Sequence, residues 1–305
     1  MRAAVVRAFG GPEAVEIVDV ELPEPGARQV RIKVTASALN PVDAGVRAGI
    51  FGGAGRQIGL GWDVAGTVDA VGPAAAWSVG EEVVALAHGV AAPLGAHAEY
   101  VVVDADAVAL APASVDAVHA ATLPLNALTA VQALDLLDLA PGDSLLVTGG
   151  AGAVGGYAVE IAAGRGVKVA ALARAQDEEF VRSLGATRLV DGAGGADGAD
   201  GSGGAGGFDA VLDAAVLGSE ALAFVRDGGA YAGVIPQTQP AAERGVRTTA
   251  VEVASDGVRL AELVRAVDAG ELTLRIAGTY ALADAAEAHA RLAEGGLRGR
   301  LVIVP

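Results

Sequence analysis

The sequence predicts an α/β protein, in which a parallel, doubly wound sheet is inserted between the two parts of a domain built around a compact β-barrel. Three observations predict it. The first third of the chain is a series of short, strand-like apolar runs. From residue 123 strands and helices alternate, with a glycine-rich turn between one strand and the next helix. Towards the C-terminus the alternation gives way to mixed structure. A length of 305 residues suits about two domains. The expected division is 1–122 with 254–305 for one and 123–253 for the other.

The elements follow in order. Arg2 to Val6 and Ala14 to Ile17 are brief apolar runs. Gln29 to Val34 alternates with period two, as a half-buried strand should. Val64 to Val71, Glu82 to Leu86 and Ala98 to Val103 continue the series, with Pro and Gly between them as punctuation. Many short strands spaced in this way suggest a barrel. Leu123 to Leu139 reads as a helix stopped by Pro141-Gly142, and Ser144 to Thr148 as a strand. A glycine cluster and a helix to about Ala163 come next, then a strand from Val167 to Leu172, a helix from Glu178 to Leu184 and a strand from Arg188 to Val190. Gly192 to Gly207 is nearly all Gly, Ala, Asp and Ser and is expected to be a flexible loop between two sheet strands, a linker between domains being the alternative. Phe208 to Leu212 and Ala230 to Val234 are strands with a helical Ser219 to Val225 between them. Such alternation indicates a parallel doubly wound sheet. Gly257 to Ala269 and Leu282 to Leu292 are helices, Arg300 to Val304 is a last strand, and no internal repeat is detected.

Composition removes several function classes. Hydrophobic residues make up 52% and aromatics only 4%, so the cores must be built from Ala, Val and Leu. A net charge of −16 argues against nucleic acid or an anionic membrane as partner. The absence of cysteine removes disulfides, thiol nucleophiles, iron–sulfur clusters and cysteine-ligated zinc. His88, His97, His119 and His289 form no metal-ligand spacing, so no metal site is expected. Neither a signal peptide nor a membrane span is recognisable, and a cytoplasmic location is expected.

Gly150-Ala151-Gly152-Ala153-Val154-Gly155 carries the chemistry. It has G-x-G-x-x-G spacing, follows a strand and opens a helix. The first glycine permits a tight turn, the second lets backbone approach a pyrophosphate, and the third lets helix and strand pack closely. The helix N-terminus offers N–H groups and a positive dipole end to phosphates. NAD sites place an acid at the end of the second strand, on the ribose hydroxyls. Here that strand ends Ala173-Arg174. An arginine can pair with a ribose 2′-phosphate. The expected cofactor is therefore NADP(H), with Arg174 as the phosphate partner; a solvated surface arginine is the alternative.

Several further motifs resemble a known family. Ser37 to Asp43 contains Asn40-Pro41-Val42-Asp43, similar to an Asn-Pro-x-Asp element. Gly61-Trp62-Asp63-Val64-Ala65-Gly66 lies where zinc alcohol dehydrogenases carry Gly-His-Glu-x-x-Gly. Gly95 to Tyr100, Leu128-Thr129-Ala130, Leu184-Gly185-Ala186 and Gly299-Arg300-Leu301-Val302 also fit. Their order resembles the medium-chain dehydrogenase/reductase superfamily, in its zinc-free quinone oxidoreductase, zeta-crystallin-like branch. That resemblance implies a Rossmann sheet inserted into a GroES-like catalytic domain. Trp62 stands in place of the zinc-ligand histidine. Ala153 and Glu160 depart from the branch's usual glycine and glutamine, and the loop from Ala44 to Gln57 has Phe51 but no tyrosine. The short-chain reductase mechanism, which needs Tyr-x-x-x-Lys, is unavailable: none of Tyr100, Tyr157, Tyr231 and Tyr280 has a lysine four positions on.

The resemblance implies hydride transfer from NADPH to a small electrophilic molecule, a quinone or an α,β-unsaturated carbonyl compound, in a cleft between the domains. Such acceptors need little acid assistance, because charge spreads to a remote oxygen while the protein positions the reactants. Asn40 and Asp43 would be catalytic, Asn40 as an amide donor to the substrate oxygen; alternatively Asp43 orients its loop through backbone N–H groups. Phe51 and Trp62 would wall the substrate pocket, or Trp62 is plain core. Thr129 would bond the nicotinamide end of the cofactor or its own backbone. Val234 and Ile235, at a strand end, would meet the nicotinamide amide. Arg300 would reach the cofactor phosphates or make a surface ion pair. A homodimer or homotetramer is also implied. Two other functions stay open: an NADP(H)-binding sensor without turnover, and an enoyl reductase acting on a carrier-bound acyl chain.

Overall fold

The computed structural model describes residues 1–191 and 207–305. The tract expected to loop between Gly192 and Gly207 lies outside the described residues, apart from Gly207 itself. The chain divides into two compact units, one of Met1–Leu125, Ala254–Gly270 and Leu274–Pro305, the other of Asn126–Val253 and Glu271–Thr273.

In chain order the first unit opens with β1 (Arg2–Val6), β2 (Glu16–Asp19), β3 (Gln29–Leu39), α1 (Pro41–Arg47), β4 (Ile58–Gly59), β5 (Asp63–Val71), β6 (Glu82–Leu86), β7 (Tyr100–Asp104), β8 (Val108–Leu110) and α2 (Ala117–Ala120). Next come α3 (Pro124–Leu137), β9 (Ser144–Thr148), α4 (Ala153–Gly164), β10 (Lys168–Ala173), α5 (Glu178–Ser183), β11 (Arg188–Asp191), β12 (Phe208–Asp213), β13 (Val225–Gly233) and β14 (Arg247–Ala250). The chain closes with α6 (Gly257–Asp268), β15 (Ile276–Ala281), α7 (Ala285–Ala293) and β16 (Arg300–Val304).

Strand β3 organises the first unit. Its first half alternates as the sequence predicts, with Val30, Ile32 and Val34 buried and Lys33 exposed. It pairs antiparallel with β5 and with β7, and its last residues, Ser37 to Leu39, pair with β16. From Ala36 to Leu39 every residue is buried, because this half is covered on both faces. The core is mostly valine, with Val64, Val68, Val83, Val101, Val103 and Val108 packed around β3. A second cluster joins Ala4, Leu39, Leu301 and Ile303 to Leu282, Ala285 and Ala288 at and just before α7.

The second unit is the doubly wound sheet. Among the described residues its strand order is β11-β10-β9-β12-β13-β14, and every pairing in it is parallel. The chain winds outward from β9 through β10 to β11, then returns to the other side of β9. This reversal puts a topological switch point at the carboxyl ends of β9 and β12, where open α/β sheets bind ligands. Between β12 and β13, the expected helix Ser219 to Val225 is a 3-10 segment, Gly218–Phe224, and Val225 already belongs to the strand. A connection this short cannot complete the three turns of an average α-helix. The helices α1 and α2 and the strands β4, β8, β14 and β15 went unforeseen, being short or only half buried.

His289, on α7, is 1% exposed, and among the described residues neither ring nitrogen has a hydrogen-bond partner. Burial, reinforced by the charges of His97 and Arg47, pulls its pKa down to about 3. The unfolded chain would titrate this group near 6.5. The stability contributed by keeping it neutral is complete above that value and is lost as pH falls towards 3. His289→Leu should therefore flatten the acid side of the melting-temperature profile, a contribution on the order of a few kcal/mol. An unchanged acid limb would show that His289 does not govern acid stability.

Candidate functional site

In the second unit the site starts where β9 ends. Thr148 closes the strand, Gly149 turns with φ +61°, and Gly152 caps α4. The glycines answer to backbone crowding. A Cβ on Gly155 would lie 2.2 Å from the Gly149 carbonyl oxygen, and one on Gly150 would lie 2.7 Å from the Ala171 Cβ on β10. Gly155 is buried, whereas Ala151, Gly152, Ala153 and Val154 are half-buried, so the turn is partly open to solvent. No acidic residue occupies the first turn of α4 to compete for its positive dipole end. A pyrophosphate fits this turn.

Asp213, which sequence reasoning missed, holds the neighbouring loop. It is fully buried at the end of β12. Its Oδ1 accepts the Thr148 hydroxyl at 2.6 Å and the Leu217 N–H at 3.1 Å. Its Oδ2 accepts the Gly218 N–H at 2.8 Å and the Tyr231 hydroxyl at 2.9 Å. Thr148 in turn accepts the Ala215 N–H at 3.0 Å. These bonds lock the switch-point loop, including Val216 at φ +60°, a strained position for a β-branched residue. Burial and the Asp213 charge together push the Tyr231 hydroxyl far above its ordinary pKa, so it remains a donor.

Arg174 follows the end of β10 with its side chain 67% exposed, and its Nε lies 3.9 Å from Asp177, beyond hydrogen-bond distance. Val234 is half-buried and Ile235 exposed just past β13. Thr129 lies on α3 and is 7% exposed.

The first unit contributes a buried polar cluster. Asn40 caps α1, and Asp43 at its third position completes a capping box. The Asp43 carboxylate accepts the backbone N–H of Asn40 and that of Gly61, each at 2.8 Å. Asn40 donates from Nδ2 to Asp63 Oδ2 at 2.6 Å and to the Ala38 carbonyl at 3.3 Å. Asp63 Oδ1 accepts the Leu125 N–H at 2.6 Å. Asp43 and Asp63 are both wholly buried. Burial raises the Asp43 pKa, opposed by His97, the two backbone N–H groups and the Arg300 charge. Burial pushes Asp63 up to about 7, opposed chiefly by the Leu125 N–H and Asn40. Trp62 is 6% exposed and packs edge-on against His88, ring centroids 4.9 Å apart. Phe51 is partly exposed and lies over Gly45. Arg300, on β16, is half-buried.

The structure thus brings Asn40 and Asp43 together with Asp63, within reach of the Arg300 charge, and separately gathers the glycine turn with Arg174 around the ends of β9 and β10. Sequence reasoning missed Asp63 and Asp213 as hubs. Each is an acid at the very end of a strand, directly against an apolar run, Asp63-Val64-Ala65 and Val211-Leu212-Asp213, and that is the signal that could have found them.

Residues 26–113 match the alcohol dehydrogenase GroES-like domain, and residues 184–303 match the zinc-binding dehydrogenase family. The chain is 32% identical to a chloroplastic NADPH-dependent alkenal/one oxidoreductase of Arabidopsis thaliana over 317 residues, covering 100% of this chain and 80% of that protein. It is 30% identical to a quinone oxidoreductase of Pseudomonas aeruginosa, covering 98% of each. The solved quinone oxidoreductase from Coxiella burnetii superposes with a TM-score of 0.87 at 27% identity, covering 100% of this chain and 99% of that one.

Crowding at the glycine turn can be measured directly. Gly155→Ala should cost about 1–3 kcal/mol in denaturant unfolding, because the Gly149 backbone must give way. Gly164→Ala, at the open end of the same helix with nothing within 4 Å of its Cβ, should be neutral or stabilising. Equal costs at the two positions would contradict this account of the turn.

Proposed function

The chain belongs to the medium-chain dehydrogenase/reductase superfamily, in its quinone oxidoreductase branch, and from that premise we propose that it is an NADPH-dependent reductase of quinones or α,β-unsaturated carbonyl compounds that works without zinc. NADPH, when bound, supplies a hydride to the electron-poor carbon of such an acceptor. The observation that carries this reading is the glycine turn from β9 into α4, whose partial accessibility, glycine-only close packing and acid-free helix start suit a diphosphate. The 2′-phosphate falls to Arg174, exposed at the end of β10 where an NAD site would carry an acid.

Zinc independence is supported by the donor set. The chain has no cysteine, and Trp62 occupies the place of a ligand histidine. Among the described residues no three His, Asp or Glu side chains are grouped to hold a metal. The residues present therefore do not fit the zinc that one family's name implies.

Asn40 and Asp43 hold the reacting end. Asp43 spends both oxygens on backbone N–H groups and so fixes the entry to α1. The bond from Asn40 to Asp63 is short and sets the carboxamide plane, while the one to Ala38 is long at 3.3 Å. The second N–H is therefore the one to share with a substrate oxygen. Trp62 and Phe51 supply apolar walls, Thr129, Val234 and Ile235 serve the nicotinamide end, and Arg300 serves the cofactor phosphates. The reading also places the protein in the cytoplasm as a homodimer or homotetramer. The lack of cysteine is compatible with that compartment, among the described residues no helix is long and apolar enough to cross a membrane, and the assembly rests on the family resemblance alone.

NADPH oxidation with a panel of quinones and enones tests the activity, which should survive chelator unchanged. Activity abolished by chelator and restored by zinc would overturn the zinc-free assignment. Arg174→Ala should weaken NADPH binding by about tenfold or more while leaving NADH binding nearly unchanged, as expected for one lost charge-assisted contact. An equal loss for both nucleotides would remove Arg174 from its role.

A further inference from the structure

We propose that Asp63 is a positioning residue for hydride transfer: its carboxylate ties the Asn40 carboxamide, the cap of α1, to the first turn of α3. This rests on the reductase reading above and goes beyond it, since it assigns a group that touches neither substrate nor cofactor.

Geometry carries the assignment. Asp63 is wholly buried, and each of its oxygens faces an N–H donor at 2.6 Å, Asn40 Nδ2 on one side and the Leu125 backbone on the other. Three segments far apart in sequence meet at this one group: the end of β3 running into α1, the start of β5 and the start of α3. The ionised carboxylate is the stronger acceptor for both donors. Protonation leaves one oxygen a poorer acceptor and adds a hydrogen for which neither N–H donor is a partner, so the bond on that side weakens. The Asn40 carboxamide would then lose the short bond that fixes its Nδ2, leaving that nitrogen its long bond to Ala38. With burial pushing the Asp63 pKa up to about 7, both forms are populated near neutrality. The working form is the ionised one, so activity should rise with pH as Asp63 loses its proton.

Several charged groups bear on this titration. Asp43 on α1 raises the Asp63 pKa, and Arg300 on β16 lowers it. His97 and Arg300 act on Asp43 in turn. Just after β6, which pairs with β5, His88 packs on neighbouring Trp62. The donors from α1 and α3 are the uncharged N–H groups already named.

Asp63→Asn imitates the protonated form at every pH, because its amide must set an NH2 against one of the two donors. The test compares wild type and D63N across pH values on either side of 7, measuring kcat and KM for a conjugated enone, NADPH affinity and melting temperature. In the wild type kcat/KM should climb through a step near 7. In D63N that step should vanish and kcat should fall by about tenfold or more, as misplacement of a reacting group does. NADPH affinity should stay within about twofold, since the nucleotide turn lies in the other unit. A D63N enzyme with wild-type kcat and an unaltered pH step overturns the inference, as does a kcat loss matched by an equal loss of NADPH affinity. Should D63N fail to fold, Asn40→Ala must lose the same step, and a step surviving there also overturns it. A wild type that oxidises no NADPH with any acceptor defeats the reductase reading itself, whereas an active wild type matched by D63N defeats this inference alone.

Discussion

The cost of burying a carboxylate organises both halves of this protein. A buried carboxylate stays charged only where donors replace the water it has lost. Asp43, Asp63 and Asp213 are each removed from solvent, and each is met by backbone N–H groups at the end of a strand or the start of a helix. Such groups are the donors that regular structure leaves over. The carboxylates therefore act as fasteners for segments that would otherwise be loops. Asp43 and Asp63 do this for the polar cluster of the first unit, and Asp213 for the loop beside the glycine turn in the second.

The surroundings of these fasteners are built from small side chains. With few aromatic residues, the first core is a valine lattice and the sheet of the second unit packs Leu146, Ala170, Val190 and Val211. Small residues allow close backbone approach. At Gly155 that approach is tight enough to exclude even a methyl group. The same smallness leaves little side-chain bulk to define the polar sites, so hydrogen bonds take over that task. Tyr231 shows the combination: a fully buried ring in the sheet whose hydroxyl ends on Asp213.

Much of the architecture was legible because its signals are local. Period-two alternation marked β3, and strand–helix alternation marked the parallel sheet from β9 to β13. The glycine spacing marked the turn, and the position of Arg174 just after β10 followed from the length of one strand and one helix. Short or half-buried elements were not legible. Strand β15 alternates between half-buried and exposed positions, and β14 has no buried residue. Neither carries enough apolar contrast to stand out from a loop. Asn40 and Asp43 were visible as a motif, but their bonding was not.

By itself the sequence determined the fold class, the absence of thiol chemistry and the position of the glycine turn between β9 and α4. Each follows from composition or from neighbours within a few residues. Tertiary structure alone decided which distant groups share a hydrogen bond. Asp63 finds Asn40 across 23 positions and Leu125 across 62, and Asp213 finds Thr148 across 65. The reason is that a buried charge takes whichever donors the packed chain brings within about 3 Å, and no short-range pattern records that proximity.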